Sequence, residues 1–127
     1  MEQEAVPAMV ITGAFLADYA EVRGEKLYCE GGAWSDVSRP WPDAYLALLL
    51  DTGPDDVGRT YQLVIGVTGP DGEQRDYASG MMPIRQRAMV ATMPFPIPPD
   101  LGAGRYGFQC RLIGQDRAPA VFGLHVY

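Results

Sequence analysis

Apolar side chains recur at every second position in several short runs of this chain. Tyr61, Leu63, Ile65 and Val67 form one such run. Tyr106, Phe108, Cys110 and Leu112 form another, and Phe122, Leu124 and Val126 a third. Successive side chains of a strand point to opposite faces, so this spacing buries one face of an extended segment. A helix would need apolar residues three and four positions apart. The 11 prolines and 15 glycines press the same way. Proline costs about 3 kcal/mol inside a helix, whereas short strands joined by turns accommodate both residues.

The pattern predicts seven to eight strands. They are Met9–Leu16, Leu27–Trp34, Ala44–Asp51, Tyr61–Val67, a weak strand within Glu73–Ser79, Gln86–Met93, Arg105–Ile113 and Ala120–Tyr127. Gly69-Pro70-Asp71-Gly72 is a hairpin turn, because proline presets φ and glycine accepts the left-handed region. Arg23–Lys26 reads as a tight polar turn, and Ser38–Asp43 as a proline-rich crossing between sheets. Phe95–Pro99 must be extended, since residues before proline avoid the helical region. Helix is limited to a turn or two near Asp18–Val22 or Asp55–Arg59. The expected fold is all-β: an antiparallel, two-sheet, immunoglobulin-like β-sandwich, with residues 1–127 as one domain.

Charge narrows the partners. The net charge is −6, and no window clusters more than a few Lys or Arg. Phosphate binding needs a basic stripe, so nucleic acid and anionic membranes are not expected partners. No segment reaches the roughly 18 apolar residues of a membrane span. The acidic start, Met1-Glu2-Gln3-Glu4, is unlike a secretion signal. A cytoplasmic location is therefore expected, with Cys29 and Cys110 as reduced thiols. Both cysteines share the register of inward residues and could be neighbours in the core.

No residue set points to catalysis, a metal or a cofactor. His125 is the one histidine, and any Ser-His-Asp or Cys-His device would have to use it. It alternates with Leu124 and Val126, which places it on the outer face of the last strand. One histidine and two distant cysteines make no zinc signature. Asp51, Asp55, Asp56 and Asp71 lie in or beside turns. Such aspartates more often cap the turn than bind calcium. Trp34, Trp41 and Tyr45 are the candidate platforms for stacking a sugar.

The segment from Gly80 to Pro99 stands apart. It holds Met81, Met82, Met89 and Met93, then Phe95 and Ile97 between prolines. Methionines fill irregular gaps in a core, which gives a crossover strand. An adhesive edge or exposed patch that pairs with another subunit or a peptide is the functional alternative. On that alternative, these six residues are the candidate partner-binding set.

Leu16-Ala17-Asp18-Tyr19-Ala20-Glu21-Val22, then Gly24-Glu25-Lys26-Leu27, then Gly31-Gly32-Ala33-Trp34 resemble the opening of an uncharacterised bacterial family of small β-sandwich proteins. Its members carry a "LADYA…GKL…GGxW" motif, a central hairpin and a late glycine-x-tyrosine. Here the hairpin matches Thr68–Gly72 and the late motif Pro99–Tyr106. The turn has Gly-Glu-Lys-Leu where the family has Gly-Lys-Leu. The resemblance covers most of the chain and implies the fold; it carries no activity.

Within these motifs Asp18, Tyr19, Trp34 and Tyr106 are expected to be structural. Asp18 and Tyr19 would bond the Arg23–Lys26 turn, and Tyr106 would form a tyrosine corner. The function expected is a non-catalytic binding or assembly module, self-associating or holding a protein partner. A carbohydrate- or small-ligand-binding sandwich is the alternative.

Overall fold

A computed structural model describes residues 10–86, 89–99, 101–114 and 119–127. It is an all-β sandwich, and the described residues form ten strands and no helix. The strands are β1 (Val10–Ala17), β2 (Tyr19–Arg23), β3 (Lys26–Glu30), β4 (Asp36–Val37) and β5 (Tyr45–Asp51). They continue with β6 (Thr60–Thr68), β7 (Gln74–Pro83), β8 (Met89–Pro94), β9 (Gly104–Leu112) and β10 (Ala120–Val126).

Three sheets result rather than two. One has the order β1-β5-β8, the second β4-β10-β9-β6-β7, and the third is the β2-β3 ribbon. All pairs are antiparallel except β4 with β10. The main core lies between the first two sheets. Leu16, Leu46, Leu48 and Leu50 come from one side. Leu63, Ile65, Val67, Phe108, Cys110, Leu112, Leu124 and Val126 come from the other, as period-two burial requires.

The strand count rises because the region 18–37 folds as three short strands, not as one strand over Leu27–Trp34. Asp18–Val22 is extended rather than helical, since β2 pairs with β3 in register Tyr19↔Glu30 to Arg23↔Lys26. The polar turn between them holds Gly24 at φ 54° and Glu25 at φ 69°. The ribbon packs against β5 and β8, with Tyr19 edge-on to Tyr45 at 5.1 Å. This covers the outer side of the three-stranded sheet, so Ala47 is fully buried although it alternates with Leu46 and Leu48. The other candidate helix, Asp55–Arg59, is turn.

Residues 38–44 carry the chain from the five-stranded sheet to the three-stranded one, as a crossing should. β7 is longer than the weak strand expected there and carries a bulge. Ile65 pairs with Ala78 and Gly66 with Asp76, which leaves Tyr77 unpaired.

Candidate functional site

Two sheet edges meet on one side of the sandwich. Among the described residues β7 is bonded only to β6 and β8 only to β5, so each is a terminal strand of its sheet. Between them runs an apolar groove of about 350 Å³. Its walls come from Ala78–Met82 of β7, and from Met93, Pro94, Phe95 and Pro96 at and after β8. Leu63 and Ile65 of β6 reach it from the core. None of the lining residues carries a charge.

Tyr77 ties the two edges together beside the groove. The bulge leaves its ring half-buried, edge-on to Phe108 at 6.4 Å. Its hydroxyl donates to the carbonyl of Pro96 at 2.8 Å, across the sheets. Burial raises the pKa of that hydroxyl, so it stays protonated and able to donate. Phe95 packs edge-on against Phe108 at 5.4 Å, and Trp41 stacks on Phe95 at 6.3 Å.

Of the six candidate partner-binding residues, the structure brings four to this groove: Met81, Met82, Met93 and Phe95. Their exposure differs sharply. Met81 is 67% exposed, the most of any described large hydrophobic residue, whereas Met82 and Phe95 are buried at 4% and 5%. Met82 and Phe95 therefore form the groove's floor rather than an exposed patch. Met89 lies opposite Leu50 at the far end of β8, and Ile97 packs on the core beyond β8; neither lines the groove. Ser79, Gly80, Pro94 and Pro96 were not among the candidates. An uncharged run from Tyr77 to Ile84 was the available signal. The strand expected within Glu73–Ser79 covers only the first three residues of that run.

The four expected structural residues form local contacts. Trp34 donates its indole Nε1–H to Asp18 Oδ1 at 2.8 Å. The Asp18 amide donates to the carbonyls of Glu30 and Gly31. Tyr19 donates its hydroxyl to Glu21 at 3.0 Å. Asp18 and Tyr19 thus do not bond the Arg23–Lys26 turn. Tyr19 pairs with Glu30 at the opposite end of the ribbon, four residues from Arg23, about 13 Å along a strand. Tyr106 donates to the carbonyl of Gly102 at 3.0 Å, four residues upstream.

Trp34 also lines a shallow bowl of about 400 Å³ with Asp18, Ser35, Asp36, Val37 and Pro42. Trp41 and Tyr45 face elsewhere. Phe95 and Phe108 occupy the surroundings of the Trp41 ring, and Tyr45 meets Tyr19. The three sugar-stacking candidates therefore share no platform.

His125 sits in register between Asp36 of β4 and Arg105 of β9, with its ring 4.6 Å from that of Tyr127. Among the described residues no group of three or more His, Cys, Asp or Glu side chains could hold a metal. Two of the four turn aspartates, Asp56 and Asp71, cap turns. Asp71 accepts from the Glu73 amide at 3.0 Å. Buried Asp56 accepts from the Gly53 amide at 2.7 Å and from the Tyr61 hydroxyl.

The cysteines are not neighbours in the core. Cys110 is buried in β9, and Cys29 is exposed on the ribbon; both are free thiols. Burial pushes the Cys110 thiol up to about 12. On the outer face, Arg111 forks onto Asp76 through two bonds of 2.8 Å. Arg111, helped by Gln74, holds the Asp76 carboxyl down at about 2.

No helix is long and apolar enough to cross a membrane among the described residues. A scan against protein-family models finds no match to this chain, and a search of curated proteins finds none either.

Proposed function

We propose that this protein is a non-catalytic binding and assembly module that makes its protein–protein contacts at the open edge of the sandwich. One observation carries the reading. The groove between β7 and β8 is uncharged throughout, in a chain with 26 charged residues, 10 basic and 16 acidic. A half-open apolar cleft beside two terminal strands suits an extended apolar segment. Met81 and Met93 add flexible thioethers that adapt to such an occupant. The same reading places the protein in the cytoplasm, where Cys29 and Cys110 stay reduced, with neither nucleic acid nor membrane as partner. It also keeps the proposed kinship with the uncharacterised family that shares the opening motif.

Light scattering over a rising concentration series, joined to a pull-down, tests it. Wild type should self-associate or retain a protein partner, and Met93→Glu and Met81→Glu should lose that contact while keeping the wild-type circular dichroism. A wild-type monomer that retains nothing would sink the reading.

A second reading rests on the bowl at Trp34. Asp18 and Asp36 beside an indole could hold a small polyhydroxylated ligand. Trp34→Phe titrated with neutral sugars decides it. A ligand-dependent change in wild-type fluorescence that this variant lacks supports binding there; no change with any sugar removes it.

A further inference from the structure

We propose that two copies of this chain pair edge to edge through Ala78–Met82 of β7. The two segments run antiparallel across a two-fold axis at Gly80, and they join two five-stranded sheets into one. This rests on the reading of the β7–β8 edge as an assembly surface, and it names the partner and the register.

The window is set by the fold. Among the described residues β7 has a neighbour on one side only, so alternate backbone groups along it point outward without a ladder partner there. Proteins blunt such edges with charges, prolines and bulges. Here the bulge at Tyr77 closes one end of the window and Pro83 the other. Between them lie Ala78, Ser79, Gly80, Met81 and Met82, and no charge interrupts the run from Tyr77 to Ile84. The first acidic group along the strand, Asp76, is neutralised by Arg111. An acidic chain of net charge −6 thus keeps one stretch of edge that does not repel its own copy.

Self-complementarity selects a second copy over an arbitrary strand. A two-fold contact must map the window onto itself, and its midpoint is Gly80. Ala78 then faces Met82 of the other copy, and Ser79 faces Met81. Each rung off the axis sets a small side chain against a large one. At the axis Gly80 faces itself, and a Cβ built there would meet nothing within 4 Å. Met81, 67% exposed, gains cover over Ser79 of the second copy.

Cross-linking tests the register. In a Cys29→Ser background, Gly80→Cys should form a disulfide-linked dimer under mild oxidation. Val57→Cys, exposed in the turn before β6 and away from the two-fold axis, should not. By light scattering wild type should be dimeric. Met81→Lys, a charge on an already exposed position, should weaken dimerisation at least about tenfold, equivalent to 1.4 kcal/mol; Ser79→Lys should do the same. A wild-type monomer at all concentrations overturns the pairing, and a foreign partner retained by that monomer would still uphold the groove as a binding surface. A wild-type dimer in which Gly80→Cys stays unlinked and Met81→Lys has no effect overturns the edge pairing alone.

Discussion

The two cysteines of this chain show how far one residue type diverges with its surroundings. Cys110 points inward from β9 and is fully buried, so its thiolate would have to form in an apolar interior. That cost is what lifts its pKa to about 12. Cys29 stands exposed on the β2–β3 ribbon. A thiol reagent applied to the folded protein should therefore modify one cysteine per chain, and Cys29→Ser should abolish the reaction. Mass spectrometry after brief labelling checks this; labelling of both thiols at equal rates would contradict the burial of Cys110. Gln109 and Asp76 tell a related story on the outer face of the five-stranded sheet. With Gln74 their side chains fold over Gly66, where a Cβ would come within 2.5 Å of Gln74 Nε2, 2.9 Å of Asp76 Oδ1 and 3.0 Å of Gln109 Oε1. A side chain at position 66 would first push Gln74 off Asp76, and then crowd the Asp76 carboxylate and Gln109.

At the level of elements, the ribbon depends on a few tightly made joints. Gly31 follows β3 at φ 58°, and a Cβ built there would fall onto the Asp18 carboxylate. That carboxylate holds the Trp34 indole. Gly31→Ala should cost about 1–2 kcal/mol from the left-handed backbone alone. It should also free Trp34, seen as a shift in tryptophan emission in a protein that remains folded. Unchanged emission and unchanged thermal stability would mean the joint is not under this constraint. The Gly31-Gly32 pair is legible as a special backbone position, since paired glycines inside an expected strand mark a bulge or a close backbone approach. Its role as a pivot between the ribbon and the bowl was not, because the Asp18–Trp34 bond joins residues 16 apart.

For the molecule as a whole, cohesion between the sheets centres on Phe108. It is fully buried in β9 and meets Trp41, Tyr77, Phe95 and Phe122. Trp41 and Phe95 belong to the crossing and to the end of β8, so this cluster binds one sheet to the other. Removing a buried phenylalanine costs about 3–5 kcal/mol. Domains have about 5–15 kcal/mol in total. Phe108→Ala should therefore lower the urea midpoint steeply and leave the chain close to unfolding. Phe122→Ala, at a half-buried position on the same cluster, should cost less. Equal losses at the two positions would show that the cluster is not centred on Phe108.

The all-β class was legible in the amino-acid order alone. Alternation in β6, β9 and β10 fixes which face turns inward, and that is a local property of extended backbone. Turn positions at Arg23–Lys26 and Gly69–Gly72 were legible for the same reason. The number of sheets was not, nor the double burial of β5, because both follow from where the ribbon lands. The groove also escaped the linear reading. Met81 and Met93 lie on different sheets, and only the packing of those sheets places them around one cleft. Alternation says which way a side chain points; what it meets there depends on strands far away in the chain.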